Sequence, residues 1–396
     1  MTQLKQIFIA NQAQTSNFPL MLQVERAEGN YIYDTEGKKY LDLISGISVS
    51  ALGHGNNNVK NAIIRQLDKH AHVMVYGEYI QNTQAQLCKK ITDLLPISLN
   101  SVYLLNSGAE ATETALKLAK RVTGKPNIVA NKNAYHGSTH AALSLNSNEY
   151  FKSPFRPLLP GVVFIDFNDV NAIEKINHAT ACVITEVIAG EAGYKPAKKE
   201  FLKALRQKCN DTCTLLIFDE IQSAMGKTGK MFAFEHYDVI PDILLLGKAL
   251  GAGMPIGAVV ADRKLMQTFA ENPILGHITT FGGHPVIAAA AIAGIDEILN
   301  NNLISNVEQK EQLFRNKLNH EAIKSITGMG LMLALELDNF DNLQKVISLC
   351  LQNGLITDWF LFANNKLRIA PPLTINNNEI LFACKVIQDA LNVVYA

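Results

Sequence analysis

The chain has 396 residues, 48% of them hydrophobic and 18% charged, enough apolar side chain for a large core spread over two or three domains. Lysine plus arginine and aspartate plus glutamate number 36 each, so the formal charge is zero, with no basic stripe for nucleic acid and no acidic tail for a cationic partner. What remains is an enzyme or a binding protein for small molecules. The six cysteines are scattered, and the close pair, Cys209 and Cys213, lacks both a CxxC spacing and a second pair for zinc. Free thiols in a long chain, and an opening apolar run too short for a signal peptide, lead to the expectation of a cytoplasmic protein. The longest apolar run, 286–295, is about half of what a membrane span needs.

In chain order, the first fifty residues alternate and turn at Glu28-Gly29 and Glu36-Gly37, which predicts hairpin strands. A break at Gly53-His54-Gly55 precedes a helix predicted over 57–70, with His54 in a structural or interface role. Helices are then predicted over 84–95, 109–122, 170–177 and 199–210. Strands are predicted over 102–105, 128–130, 162–167, 181–187, 215–218 and 244–246. This alternation indicates a mainly parallel sheet covered by helices on both faces. A long helical stretch leads out from about residue 288. Strands over 331–337 and 367–369 and helices over 341–352 and 378–393 follow. The last hundred residues are expected to join the N-terminal segment in one smaller domain.

Two of the apolar strands end in charge. Leu215–Phe218 runs into Asp219-Glu220, and the run 243–246 passes through Gly247 into Lys248. Charges at strand ends face the crevice where open α/β sheets hold ligands. A lysine desolvated there becomes nucleophilic and suited to Schiff-base chemistry, and a nearby carboxylate suits a protonated pyridine nitrogen. On spacing alone, a helix-capping Asp219 and a surface Lys248 fit equally well. Asn106-Ser107-Gly108-Ala109 opens a helix with Ser107 as N-cap and Glu110 and Glu113 in its first turn, a setting that binds phosphate but is also common as plain structure.

The segments LLIFDEIQ and LLLGKALGAGMPIGA, with SGAEATETALKLAK upstream and KLRIAPPL downstream, closely resemble the class III, ornithine/acetylornithine-type aminotransferases that use pyridoxal 5'-phosphate (PLP). The resemblance runs from about residue 20 to 380, with five motifs in the family's order. It implies a fold-type I PLP-dependent transferase of the α/β class. Its large domain would cover residues 51–300, and a smaller α/β domain would be built from 1–50 and 301–396.

The same resemblance implies the site. Lys248 would form the Schiff base with PLP and move the proton, Asp219 would pair with the pyridinium nitrogen, and Gln222 would hydrogen-bond the phenolic oxygen with Ile221 behind the ring. Ser107, Gly108 and Ala109 would hold the phosphate. Tyr135 would stack on the ring, with His136 and Glu186 also at cofactor-binding positions. Thr279 and Thr280 would reach a second subunit's PLP phosphate, which makes the protein a homodimer with a shared site. Arg368 would grip the substrate's α-carboxylate and rest on Glu191 when a cationic donor end enters. No metal is implied. The implied activity transfers the terminal amino group of N-acetylornithine or ornithine to 2-oxoglutarate.

The chain departs from the pattern at YHGST, where Ser138 stands at the position of a distal-carboxylate arginine, leaving Arg156 as a substitute cation. YHGST also occurs in ω-amine:pyruvate relatives, which keeps that activity open. A glutamate-semialdehyde-type aminomutase and a non-catalytic PLP-binding homologue are further alternatives.

Overall fold

The computed structural model describes residues 3–396; the first two residues of the expected smaller domain lie outside it. Three antiparallel strands come first, β1 (Val24–Glu28), β2 (Tyr31–Asp34) and β3 (Lys39–Asp42). The alternating part supplies β4 (Ser101–Leu105), β5 (Asn127–Asn131), β6 (Val162–Ile165) and β7 (Thr180–Glu186). A two-stranded hairpin of β8 (Ile188–Ala189) and β9 (Lys195–Pro196) follows, then β10 (Leu215–Asp219), β11 (Ile243–Gly247) and β12 (Gly257–Ala261). The C-terminal part adds β13 (Ser325–Met329), β14 (Met332–Glu336), β15 (Leu355–Ile356), β16 (Trp359–Phe360) and β17 (Ala363–Ile369).

The central sheet has seven strands in the order β4–β12–β11–β10–β7–β5–β6. The pairs from β11 to β6 are parallel, and β12 alone runs antiparallel to both of its neighbours. Side chains of a strand point to opposite faces in turn, and both faces here are covered. On β10, Leu216 and Phe218 join one apolar cluster while Ile217 joins the other, and β7 splits Val183 and Ile184 in the same way. The helix Gly108–Thr123 lies over one face, capped by the Ser107 hydroxyl, which accepts the Glu110 N–H at 3.2 Å, and ended by Gly124 in the left-handed region. Glu110 alone occupies the first turn; Glu113 lies a turn later and accepts the N–H groups of Ala141 and Ala142.

The two ends of the chain share a sheet, since β15 pairs in parallel with β3. The order β13–β14–β17–β16 forms a further sheet that carries Arg368 on β17. His54 takes a structural role, its Nε2 3.0 Å from Asp42 Oδ2.

Several elements differ from expectation. The predicted helix over 170–177 is a short 3-10 segment, Asn171–Lys175. The helix predicted over 57–70 stops at Leu67, and the strand predicted to reach 167 stops at Ile165. The helix Val307–Lys317 and strands β12 and β13 were not anticipated.

Candidate active site

The parallel strands bring their C-terminal ends to one edge of the sheet. Glu186 closes β7, Asp219 closes β10, Lys248 follows β11, and Ser107-Gly108 follows β4. They converge on a cavity of about 460 Å³ whose walls include Gly108, Ala109, Tyr135, Ser138, Glu191 and Lys248. Asp219, Ile221, Gln222, His136 and Glu186 complete its floor.

Lys248 has φ 44°, a left-handed backbone that a non-glycine residue adopts only where the surroundings hold it, as functional sites often do. Burial pulls its amine below the ordinary lysine value, although Glu191, Asp219 and Glu186 work in the opposite sense. Asp219 accepts the Ile221 N–H at 3.0 Å on Oδ1, and its Oδ2 lies 2.7 Å from Nδ1 of the buried His136. Burial disfavours the charged imidazole, but the hydrogen bond and charge of Asp219, with Glu186 adding, outweigh it and hold His136 above its usual value. Glu186 is pushed up to about 7, chiefly by burial, with His136 opposing and Asp219 and Glu191 adding to the rise.

At the back of the cavity Arg368 is almost fully buried and crowded with acceptors. Its Nη2 donates to both oxygens of Glu191 at 3.0 Å and to the Trp359 carbonyl at 3.1 Å. Its Nη1 meets the Tyr194 hydroxyl at 3.3 Å, and its Nε donates to Asp358 Oδ1 at 2.8 Å. Phe360 lies against the guanidinium plane, 4.2 Å from ring centre to Cζ. Burial disfavours the guanidinium charge, but Tyr194, Asp358 and Glu191 together more than offset it.

The residues present fit PLP, a flat ring bearing a nitrogen, a phenolic oxygen, an aldehyde and a phosphate. His136 Nε2, Glu186 Oε2 and Gln222 Oε1 are buried without a hydrogen-bond partner, so the floor holds unused polar capacity. Backbone N–H groups at the start of the helix Gly108–Thr123 open on the same space, where an anion is favoured. That helix start is pressed onto the sheet so closely that a Cβ on Gly257 would stand 2.0 Å from the Ser107 carbonyl oxygen.

Not every expected residue comes together within one chain. Thr279 accepts from Asn106 Nδ2 at 3.0 Å and Thr280 is exposed, and neither lines the cavity. Arg156 is exposed and donates to both oxygens of Glu149, at 2.8 and 2.7 Å, and is not among the cavity's residues. Ser138 does line the cavity, its Oγ 3.0 Å from the Tyr135 hydroxyl. Asp358 and Tyr194 were missed. The aromatic-acid run TDWFLF just before KLRIAPPL was the available signal for Asp358.

An α/β sheet with a lysine and an acid at adjacent strand ends, facing a helix N-terminus, defines a PLP-dependent enzyme of fold type I. The sequence model of the class-III aminotransferases matches residues 12–391. The acetylornithine aminotransferase of Archaeoglobus fulgidus is 36% identical over 359 residues, covering 90% of this chain and 92% of that one. The LysW-aminoadipate semialdehyde/glutamate semialdehyde transaminase of Sulfolobus acidocaldarius is 38% identical over 322 residues, covering 80% and 82%. Among solved structures, the ornithine aminotransferase of Toxoplasma gondii superposes with a TM-score of 0.92 at 29% identity, covering 99% of this chain and 94% of that one. The chain belongs to the class-III aminotransferases and is a PLP-dependent transaminase.

Proposed function

We propose that this transaminase moves the terminal amino group of an ornithine-like donor, N-acetylornithine or ornithine, to 2-oxoglutarate. The observation that carries the reading is the buried Glu191–Arg368 pair behind the cavity that Lys248 enters. A guanidinium already neutralised by a movable carboxylate accepts a cationic or neutral donor end while paired. It grips a substrate α-carboxylate once Glu191 withdraws. The relatives named as an acetylornithine aminotransferase and an aminoadipate semialdehyde/glutamate semialdehyde transaminase support the donor class.

When bound, PLP supplies an aldehyde with which amines condense and a ring that withdraws electrons from the carbon beside the nitrogen. Asp219 would accept a hydrogen bond from the protonated ring nitrogen, with His136 holding its second oxygen. Gln222 would donate to the phenolic oxygen, and Ile221 and Tyr135, which line the same cavity, would pack against the ring. Ser107, Gly108 and Ala109 would offer N–H and hydroxyl donors to the phosphate at the helix start, with Glu186 lining the same cavity. Lys248, its amine lowered by burial, holds and returns the proton that moves at the substrate carbon.

Ser138 favours a second reading, an ω-amine:pyruvate aminotransferase. A serine hydroxyl bonded to Tyr135 supplies no positive charge for a distal carboxylate.

The homodimer is part of the same proposal. Ile80 is 100% exposed, Ile274 78% and Phe281 53%, beside Thr279 and Thr280, and the helix Gln3–Asn11 buries no residue in its own chain. Apolar surface of this kind marks an interface. Six free cysteines support a reducing cytoplasm as the setting; among the described residues no helix is long and apolar enough to cross a membrane.

The test adds candidate donors singly to purified enzyme and follows the cofactor's visible band, then measures KM for the acceptor. Bleaching by N-acetylornithine or ornithine, and a rise of at least tenfold in the 2-oxoglutarate KM for Arg368→Ala, are expected. Bleaching only by simple ω-amines or alanine, with pyruvate as sole acceptor, would establish the second reading instead.

A further inference from the structure

Arg368 faces two acids, and only one of them is needed to account for its resting state. Glu191 is tied by Arg368 Nη2 and by the Leu361 N–H, which reaches its Oε2 at 3.1 Å. Asp358 sits on the opposite edge, taking Arg368 Nε on its side chain at 2.8 Å and Arg368 N–H on its carbonyl at 2.9 Å. It stands one residue before β16, whose partner strand β17 carries the arginine, so its backbone is tied directly to that of Arg368. Burial holds the Asp358 carboxyl above the ordinary aspartate range, with the Arg368 charge opposing, so its ionised form is not there for its own solvation.

We infer that Asp358 is a positioning residue for acceptor binding, the standing counterion that allows Glu191 to leave Arg368 and a substrate carboxylate to replace it. The inference rests on the reading of Arg368 as the acceptor's anchor. A buried charge stripped of its only partner is strongly unfavourable, so an arginine with a single acid would hold that acid fast. With Asp358 in place, Arg368 keeps one counterion throughout the exchange. Two carboxylates surround it both before the exchange, from Glu191 and Asp358, and after it, from the acceptor and Asp358.

The test measures the affinity of the holoenzyme for glutarate, a dicarboxylate with no carbonyl to react, by titration calorimetry. Fluorescence of Trp359, the chain's single tryptophan, whose carbonyl accepts Arg368 Nη2, serves as a second readout. Asp358→Asn is expected to weaken glutarate about tenfold in the natural background and to slow the acceptor half-reaction more than the donor half-reaction. In the Glu191→Ala background, where nothing has to be released, the same change is expected to leave glutarate affinity within twofold or to tighten it. An equal loss in both backgrounds would reduce Asp358 to a structural prop and overturn the inference, as would no loss in the natural one. Should the asparagine variant not fold, Asp358→Ser, which keeps the backbone bond and admits water, is read the same way. Failure of the underlying reading looks different: Arg368→Ala would then leave glutarate binding unchanged.

Discussion

Glu186 holds a proton into the neutral range because its second oxygen is buried with no donor to meet it. Between 4.5 and about 7 the unfolded chain has released a proton that the folded chain keeps. The contribution of Glu186 to stability therefore falls as pH rises through that window and levels off above it, a loss of roughly 2–3 kcal/mol from pH 5 to pH 8. Glu186→Gln should lessen the fall in stability between pH 5 and pH 8 in urea denaturation of the cofactor-free protein, and an undiminished fall would assign it to other groups. Single residues were unevenly legible in the sequence. Lys248 and Asp219 stood out because charge at the end of an apolar run conflicts with burial. The bonds of His136 to Asp219 and of Arg368 to Tyr194 join residues far apart in the chain, and no local pattern encodes them.

At the scale of elements, the helix Gly108–Thr123 depends on β12, whose first residue, Gly257, admits no side chain against Ser107. Gly257→Ala is expected to push the helix start off the sheet, costing about 1–3 kcal/mol as an overpacked core does. PLP retention through gel filtration should drop with it. Ser107→Ala, which removes only a cap, should cost about 1 kcal/mol in denaturation and shift the fold less. Apolar periodicity revealed most of the parallel strands and the long helices because both faces of the sheet are covered. It did not reveal β12. The signal was there in length: residues 248–256 are too few for the crossover that a parallel partner of β11 requires, so the next strand had to run antiparallel. The 3-10 segment Asn171–Lys175 was read as a full helix because a short polar-apolar run fits either period.

For the whole molecule, the exposed apolar surface around Ile80, Ile274 and Ile278 stands next to Thr279 and Thr280, which have no role in their own chain's cavity. Ile278→Arg is expected to give a monomer in sedimentation and to lose activity with the second subunit; a variant still dimeric and active would move the interface elsewhere. Nothing in a single sequence marks which exposed side chains a second copy would cover, so the expectation of a dimer rested on resemblance alone. The sheet order has a further consequence for synthesis. Strand β4 and the helix after it leave the ribosome early, yet β4 pairs only with β12. Until residue 261 has emerged, that helix can pack on β5, β7 and β10 but lacks the β12 strand that lies between β4 and β11. The helix start that opens on the cavity is thus translated well before the strand that joins β4 to the rest of the sheet, and the nascent chain carries an unpaired β4 in the interval between.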